Sequence, residues 1–207
     1  MSVYLLLVGS YCLGSLPFGL WIAFAVRGID IRTVGSGNIG ATNVWRVCGA
    51  KAGSTAFLLD VLKGLVPVLA GKAMLPGNNL IPLVAGMLSI LGHNFSMFLK
   101  FKGGKGIATS LGVLMAAAPK IILPVTAIFV LEMLTLGYVS LGNIIAAVAV
   151  PLFIHVEYRG DIYLLIMGIC ASVLAIYKHR ANVRRLLAHT EPCARMPWRK
   201  DPEPRDE

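Results

Sequence analysis

Two short segments of the chain join glycines, amide and hydroxyl side chains and a cation. They are Gly35-Ser36-Gly37-Asn38-Ile39-Gly40-Ala41-Thr42-Asn43 with Arg46 beyond it, and Lys100-Phe101-Lys102-Gly103-Gly104-Lys105-Gly106 with Thr109 beyond it. Glycines let successive backbone N–H groups converge on an anion, and a helix that starts just after such a turn adds its positive dipole end. Gly37, Gly40, Gly103, Gly104 and Gly106 would offer the amides. Ser36, Asn38, Thr42 and Asn43 add side-chain hydrogen bonds, Arg46 can grip phosphate oxygens in pairs, and Lys105 brings a compact charge. A single loop of this kind is equally well read as a tight turn with lysines at a membrane edge. Two of them facing one surface point to phosphate chemistry.

The second segment is not a nucleotide P-loop. That pattern needs Gly at position 99 and Ser or Thr at 106, where this chain has Leu99 and Gly106, and it needs a preceding strand. A third polar cluster follows the last apolar stretch, where His179 and Asn182 are i and i+3 and share a helix face that can look back at the loops. Arg184 and Arg185 beside them read as headgroup anchors. Asp60 and Lys63, also i and i+3, lie inside an apolar stretch and are expected to form a structural ion pair. Glu132 would answer a buried base, and His93 would hydrogen-bond a neighbouring helix.

These residues have to be positioned by membrane helices. The chain has 207 residues, 57% hydrophobic and 14% charged, with mean hydropathy +0.75, outside the range of soluble domains. Apolar stretches run over about 3–26, 53–71, 80–99, 107–118, 121–136, 141–156 and 162–177. Read as spans, they predict an all-α polytopic bundle of seven transmembrane helices; the short fourth stretch is split from the fifth only by Pro119-Lys120, so the two also read as one long broken segment with a different exit side. Residues 1–189 form one transmembrane domain, and 190–207, with Pro192, Pro197, Pro202 and Pro204 among mixed charges, read as a disordered tail.

Orientation follows from the 19 Lys and Arg. With the N-terminus outside and the C-terminus cytoplasmic, Lys72, Lys120 and Arg159 alone face outwards, Lys63 is within a span, and all the others face inwards, as basic loops do. Both glycine-rich loops then open to the cytoplasm. The net charge of +9 is accounted for by this arrangement, which excludes a nucleic-acid partner. The N-terminal stretch is too long, and lacks the leading cations, for a cleaved signal. Cys12, Cys48, Cys170 and Cys193 show no metal or disulfide spacing.

The motifs resemble those of the bacterial membrane acyl-phosphate:glycerol-3-phosphate acyltransferases, which make lysophosphatidic acid. The likeness is carried by 35–43 through Arg46, by Gly92-His93, by Phe101 to Thr109, and by His179 to Leu187 with Glu191, in the family's order over almost the whole chain. The resemblance implies seven helices in the bacterial inner membrane, with cytoplasmic active-site loops. It also implies acyl transfer from acyl phosphate to the first hydroxyl of glycerol 3-phosphate, with membrane lipids around it and without coenzyme A, metal or other cofactor. By position, Ser36, Arg46, Lys105, His179 and Asn182 would form the polar catalytic site. The chain departs from the family at His189, where a glycine is common.

The mechanism is constrained by an omission: no histidine here is followed by aspartate at the fifth position, the base-and-partner spacing of acyltransferases that use thioesters. An acyl phosphate is already activated, and its anionic leaving group suits Arg46, Lys105 and loop amides. Two cradles would hold two phosphates, one per substrate, with the base either the donor's own phosphate or His179. The rival class is an organophosphate anion transporter, which would place broken helices at the bilayer midplane and show repeated halves. A lipid-binding membrane component would show no turnover.

Overall fold

Apolar chain in a bilayer folds into helices because its backbone polar groups have no other partner there. In the computed structural model, which describes residues 2–194, the described residues form ten α-helices and no strand. These are α1 Val3–Ser15, α2 Phe18–Arg27, α3 Ala41–Cys48, α4 Ala50–Met74, α5 Leu80–Asn94, α6 Ile107–Ala117, α7 Ile122–Thr135, α8 Val139–Glu157, α9 Ile162–Lys178 and α10 Arg180–Leu187. All seven predicted stretches are helical. Four segments are long and apolar enough to cross a membrane: α1 with α2, α4, α5 with the turn after it, and α8. A fifth is α9 with α10, bent by 55°.

The first stretch departs from the single helix expected over 3–26. Pro17 has no N–H to continue the ladder, so the helix stops at Ser15 and restarts at Phe18. The carbonyls freed by the break are used across the bundle: Lys63 Nζ donates to Leu16 O at 3.0 Å, and Ser96 Oγ to Ser15 O at 2.6 Å.

Small residues set how closely the helices pack. A Cβ on Gly14 would strike the Ser89 carbonyl, one on Gly64 the Thr109 carbonyl, and one on Gly112 the Val61 carbonyl. With Gly64 beside Thr109 and Lys72 Nζ donating to Ala116 O at 2.6 Å, α6 runs alongside α4 in the same direction. α6 has only 11 residues because it starts level with the middle of α4 rather than at its end. The apolar core runs through α4, α5, α6, α8 and α9, around Val68, Ile90, Val113, Ile154 and Leu164.

Candidate active site

The first loop is built around Asn43, 2% exposed. Its Oδ1 accepts from Ser36 N at 2.9 Å, and its Nδ2 donates to the carbonyls of Asn38 and Val34 (3.0 Å each) and of Ile31 (3.2 Å). Asn38 Oδ1 accepts from Gly40 N at 2.8 Å, and Gly37 N donates to Val34 O at 3.1 Å. With its side-chain hydrogen bonds spent inside the loop, Asn43 serves as scaffold, a correction to its expected role as a phosphate ligand. The amides of Ala41 and Thr42, in the first turn of α3, have no intrahelical partner and remain available.

The second loop is held by backbone pairing: Gly104 N donates to His93 O at 3.0 Å and Gly103 N to Asn94 O at 3.2 Å. The amides of Gly103 and Gly104 are therefore consumed, contrary to expectation. Both residues need to be glycine for space, since a Cβ on Gly103 would strike the His93 carbonyl and one on Gly104 the His93 ring. Gly106, with φ of +79°, turns the chain into α6, leaving its first amides free. Lys178 Nζ donates to the same Asn94 carbonyl at 2.7 Å, which ties the end of α9 to this loop.

These elements enclose a polar cavity of about 180 Å³. Of the predicted residues, Ser36, Asn38, Gly40, Thr42, Asn43, Arg46, Lys105, Gly106, His179 and Asn182 line it. Gly37, Gly103, Gly104 and Thr109 do not, and Thr109 is wholly buried, its carbonyl packed on Gly64. The first turns of α3 and α6 both face the cavity, bringing two positive helix ends to one point.

Lys105 Nζ donates to Asn182 Oδ1 at 2.5 Å, Asn182 Nδ2 to Glu191 Oε1 at 2.6 Å, and Arg185 Nε to Glu191 Oε2 at 2.7 Å. Arg185 is thus part of the site rather than a headgroup anchor. Glu191 and Pro192 line the cavity, and Ala194 N donates to Gly137 O at 2.8 Å, so the expected tail is folded onto the site as far as 194. The remainder, with Pro197, Pro202 and Pro204, lies outside the described residues. Sequence reasoning missed Ser140, Asn143 and Asp60 as lining residues; Ser140 and Asn143, i and i+3 in an apolar helix, were the available signal.

Burial holds the Lys105 ammonium down at about 8, with Arg185 and Arg46 adding repulsion and Glu191 pulling the other way. His179, at the turn past the end of α9, is pushed down to about 4 by burial and by Lys105. Its Nδ1 lies 2.8 Å from the Ala175 carbonyl. Because that carbonyl only accepts, Nδ1 carries the proton and Nε2 is left as an acceptor. Burial opposes the Glu191 carboxylate, yet the neighbouring Ser140 hydroxyl and the hydrogen bonds from Asn182 and Arg185 outweigh it and keep the group below its usual range.

A second cavity of about 320 Å³ adjoins the first, sharing Phe57, Ile107, Phe129 and Asn143 with it. Its other walls are mainly apolar, including Leu111, Leu114, Val150 and Ala171. No group of three or more His, Cys, Asp or Glu suited to a metal occurs among the described residues.

The family model for glycerol-3-phosphate acyltransferase matches residues 4–189. The glycerol-3-phosphate acyltransferase of Fusobacterium nucleatum is 44% identical over 192 residues, 92% of this chain and 97% of that protein. That of Bacillus subtilis is 40% identical over 195 residues, 93% and 97% of the two. The crystal structure of PlsY, an integral membrane glycerol 3-phosphate acyltransferase, in its glycerol 3-phosphate form superimposes with a TM-score of 0.89 at 40% identity, covering 94% of this chain and 96% of that one. Its lysophosphatidic acid form gives 0.86 at 39% identity, covering 93% and 95%. The matched residues include both glycine-rich loops and the segment from His179 to Arg185, and the chain belongs to the glycerol-3-phosphate acyltransferase family.

Proposed function

We propose that the chain transfers a fatty acyl group from acyl phosphate to the 1-hydroxyl of glycerol 3-phosphate, yielding lysophosphatidic acid and inorganic phosphate, the first acylation of phospholipid synthesis. The observation that carries this reading is the junction of two cavities: a cationic one, faced by two helix N-termini, adjoins an apolar one. A molecule with a phosphate at one end and a hydrocarbon at the other fits across that junction. The related PlsY structures, described as glycerol 3-phosphate and lysophosphatidic acid forms, support the second substrate and the product.

In the proposed step the 1-hydroxyl oxygen attacks the acyl carbon, and the bond from that carbon to the phosphate oxygen breaks. The electron pair leaves with the phosphate, which takes up the hydroxyl proton. Arg46, Lys105 and the free amides of α3 and α6 stabilise charge on the leaving group, and the two bound phosphates set the distance between hydroxyl and acyl carbon. With His179 held near 4, its imidazole is a weak base at neutral pH, which favours the donor phosphate as proton acceptor and leaves Nε2 to orient the hydroxyl.

The reading places the chain in the bacterial inner membrane in seven crossings, N-terminus outside and C-terminus cytoplasmic. The distribution of Lys and Arg supports this, as does the shared direction of α4 and α6, which gives the short fourth helix the same exit side as α4. Purified protein given palmitoyl phosphate and glycerol 3-phosphate should form lysophosphatidic acid and phosphate in equal amounts. Formation of product only from acyl thioesters would overturn the donor assignment. Glycerol 3-phosphate flux in liposomes without phosphate release would point to the transporter instead.

A further inference from the structure

One charged group on the floor of the cavity takes no part in the acyl transfer proposed above. Asp60 of α4 and His93 of α5 line the cavity but are only 2% and 4% exposed. The Asp60 carboxylate lies 2.7 Å from Lys63 Nζ and 3.6 Å from His93 Nδ1. Lys63 is anchored in turn on the Leu16 carbonyl, with its ammonium 5.6 Å from the centre of the Phe18 ring, at the break between α1 and α2. On its far side the imidazole meets the second glycine-rich loop, where Nε2 occupies the space that a Cβ on Gly104 would need.

An apolar side chain at 93 would fill this space without two opposite charges being buried behind it. What the charges add is direction. A carboxylate facing Nδ1 favours the tautomer protonated there and fixes the plane of the ring that backs Gly104. Lys63 cancels the carboxylate's charge, so the support does not repel a phosphate in the cavity. We propose that His93, oriented by the Asp60–Lys63 pair, is a positioning residue for acyl transfer: it backs the 104–106 turn so that Lys105 and the first amides of α6 meet a substrate phosphate in one geometry. This rests on the reading of that turn as a phosphate site.

The test uses the full chain in detergent or nanodiscs, with rates measured against both substrates and thermal unfolding recorded in parallel. Asp60→Asn/Lys63→Gln removes both charges together, and His93→Phe keeps a ring without its nitrogens. Each should raise KM for one of the two phosphate substrates about tenfold, with an unfolding midpoint close to the parent's. Because the three residues act as a unit, combining the changes should add less than about a further twofold. Unchanged KM values in both variants, or defects that multiply, would overturn the proposal. So would a lowered midpoint with parental kinetics, the mark of a purely structural role. If His93→Phe does not accumulate, His93→Asn makes the same comparison. Lys105→Met separates the two levels of inference. If it leaves both KM values unchanged, the phosphate reading of the turn fails; if it raises one and the variants at 60, 63 and 93 do not, only the positioning role fails.

Discussion

The ionisation of Lys105 should be visible in the pH dependence of the enzyme. With its pKa held at about 8, mainly by burial, the charged form makes up about 90% of the free protein at pH 7, half at pH 8 and about 10% at pH 9. Only that form attracts a phosphate, and the substrate phosphates stay dianionic across this range because their second ionisation lies near pH 6. The value of kcat/KM should therefore fall about tenfold between pH 7 and pH 9, with a midpoint near 8, since this ratio reports groups of the free enzyme. A bound dianion raises the lysine's pKa, so kcat at saturation should hold to higher pH. Lys105→Arg stays charged throughout and should lose the alkaline limb, at a lower overall rate because a planar fork does not reproduce the ammonium's contacts. His179, near 4, contributes no limb between pH 5 and 9, and His179→Gln should keep the same profile. Phosphate release across pH 6 to 9.5 at fixed ionic strength is the assay. A flat kcat/KM up to pH 9, or an alkaline limb that persists in Lys105→Arg, would refute the assignment.

Gly112→Val would drive a side chain into the Val61 carbonyl, and overpacking of this kind costs about 1–3 kcal/mol; a lowered unfolding midpoint with displaced activity is expected, read by thermal unfolding in detergent. Asn43→Ala orphans the Ser36 amide and the buried carbonyls that Nδ2 serves, at about 1–3 kcal/mol per buried group, so both stability and substrate KM should suffer.

Residue types and spacing pick out many of the side chains that line the polar cavity. Ser36, Arg46, Lys105, His179 and Asn182 come from three distant parts of the chain and line one cavity, because phosphate recognition needs cations and amides whose identities are visible in sequence. The pairing of Asp60 with Lys63 was legible for a similar reason, as deep charges at helical spacing need each other. Which amides remain free was not legible. A glycine that exposes its N–H and one that makes room for a neighbour are written with the same letter, and Gly103 and Gly104 turned out to be the second kind. The contacts of Glu191 were hidden by its setting beside proline, since nothing local says that a chain will fold back onto Asn182 and Arg185.

The shortness of the fourth apolar stretch follows from where α6 begins beside α4. Gly64, which faces Thr109, lies 14 residues into α4, about 21 Å along its axis, so α6 begins well below the end of its neighbour. Its first turn faces the polar cavity, while Ile107, Ser110, Leu111 and Leu114 along its side line the apolar one. A single helix terminus thereby marks the boundary between the polar and the apolar cavity, where the acyl carbonyl of the proposed donor would lie. Had α6 continued to the level at which α4 begins, its positive end would lie beyond both cavities and the carbonyl of the proposed donor would be left among apolar side walls. Recessing the terminus also surrounds it with low-dielectric protein, which in the proposed reaction would strengthen its hold on a substrate phosphate.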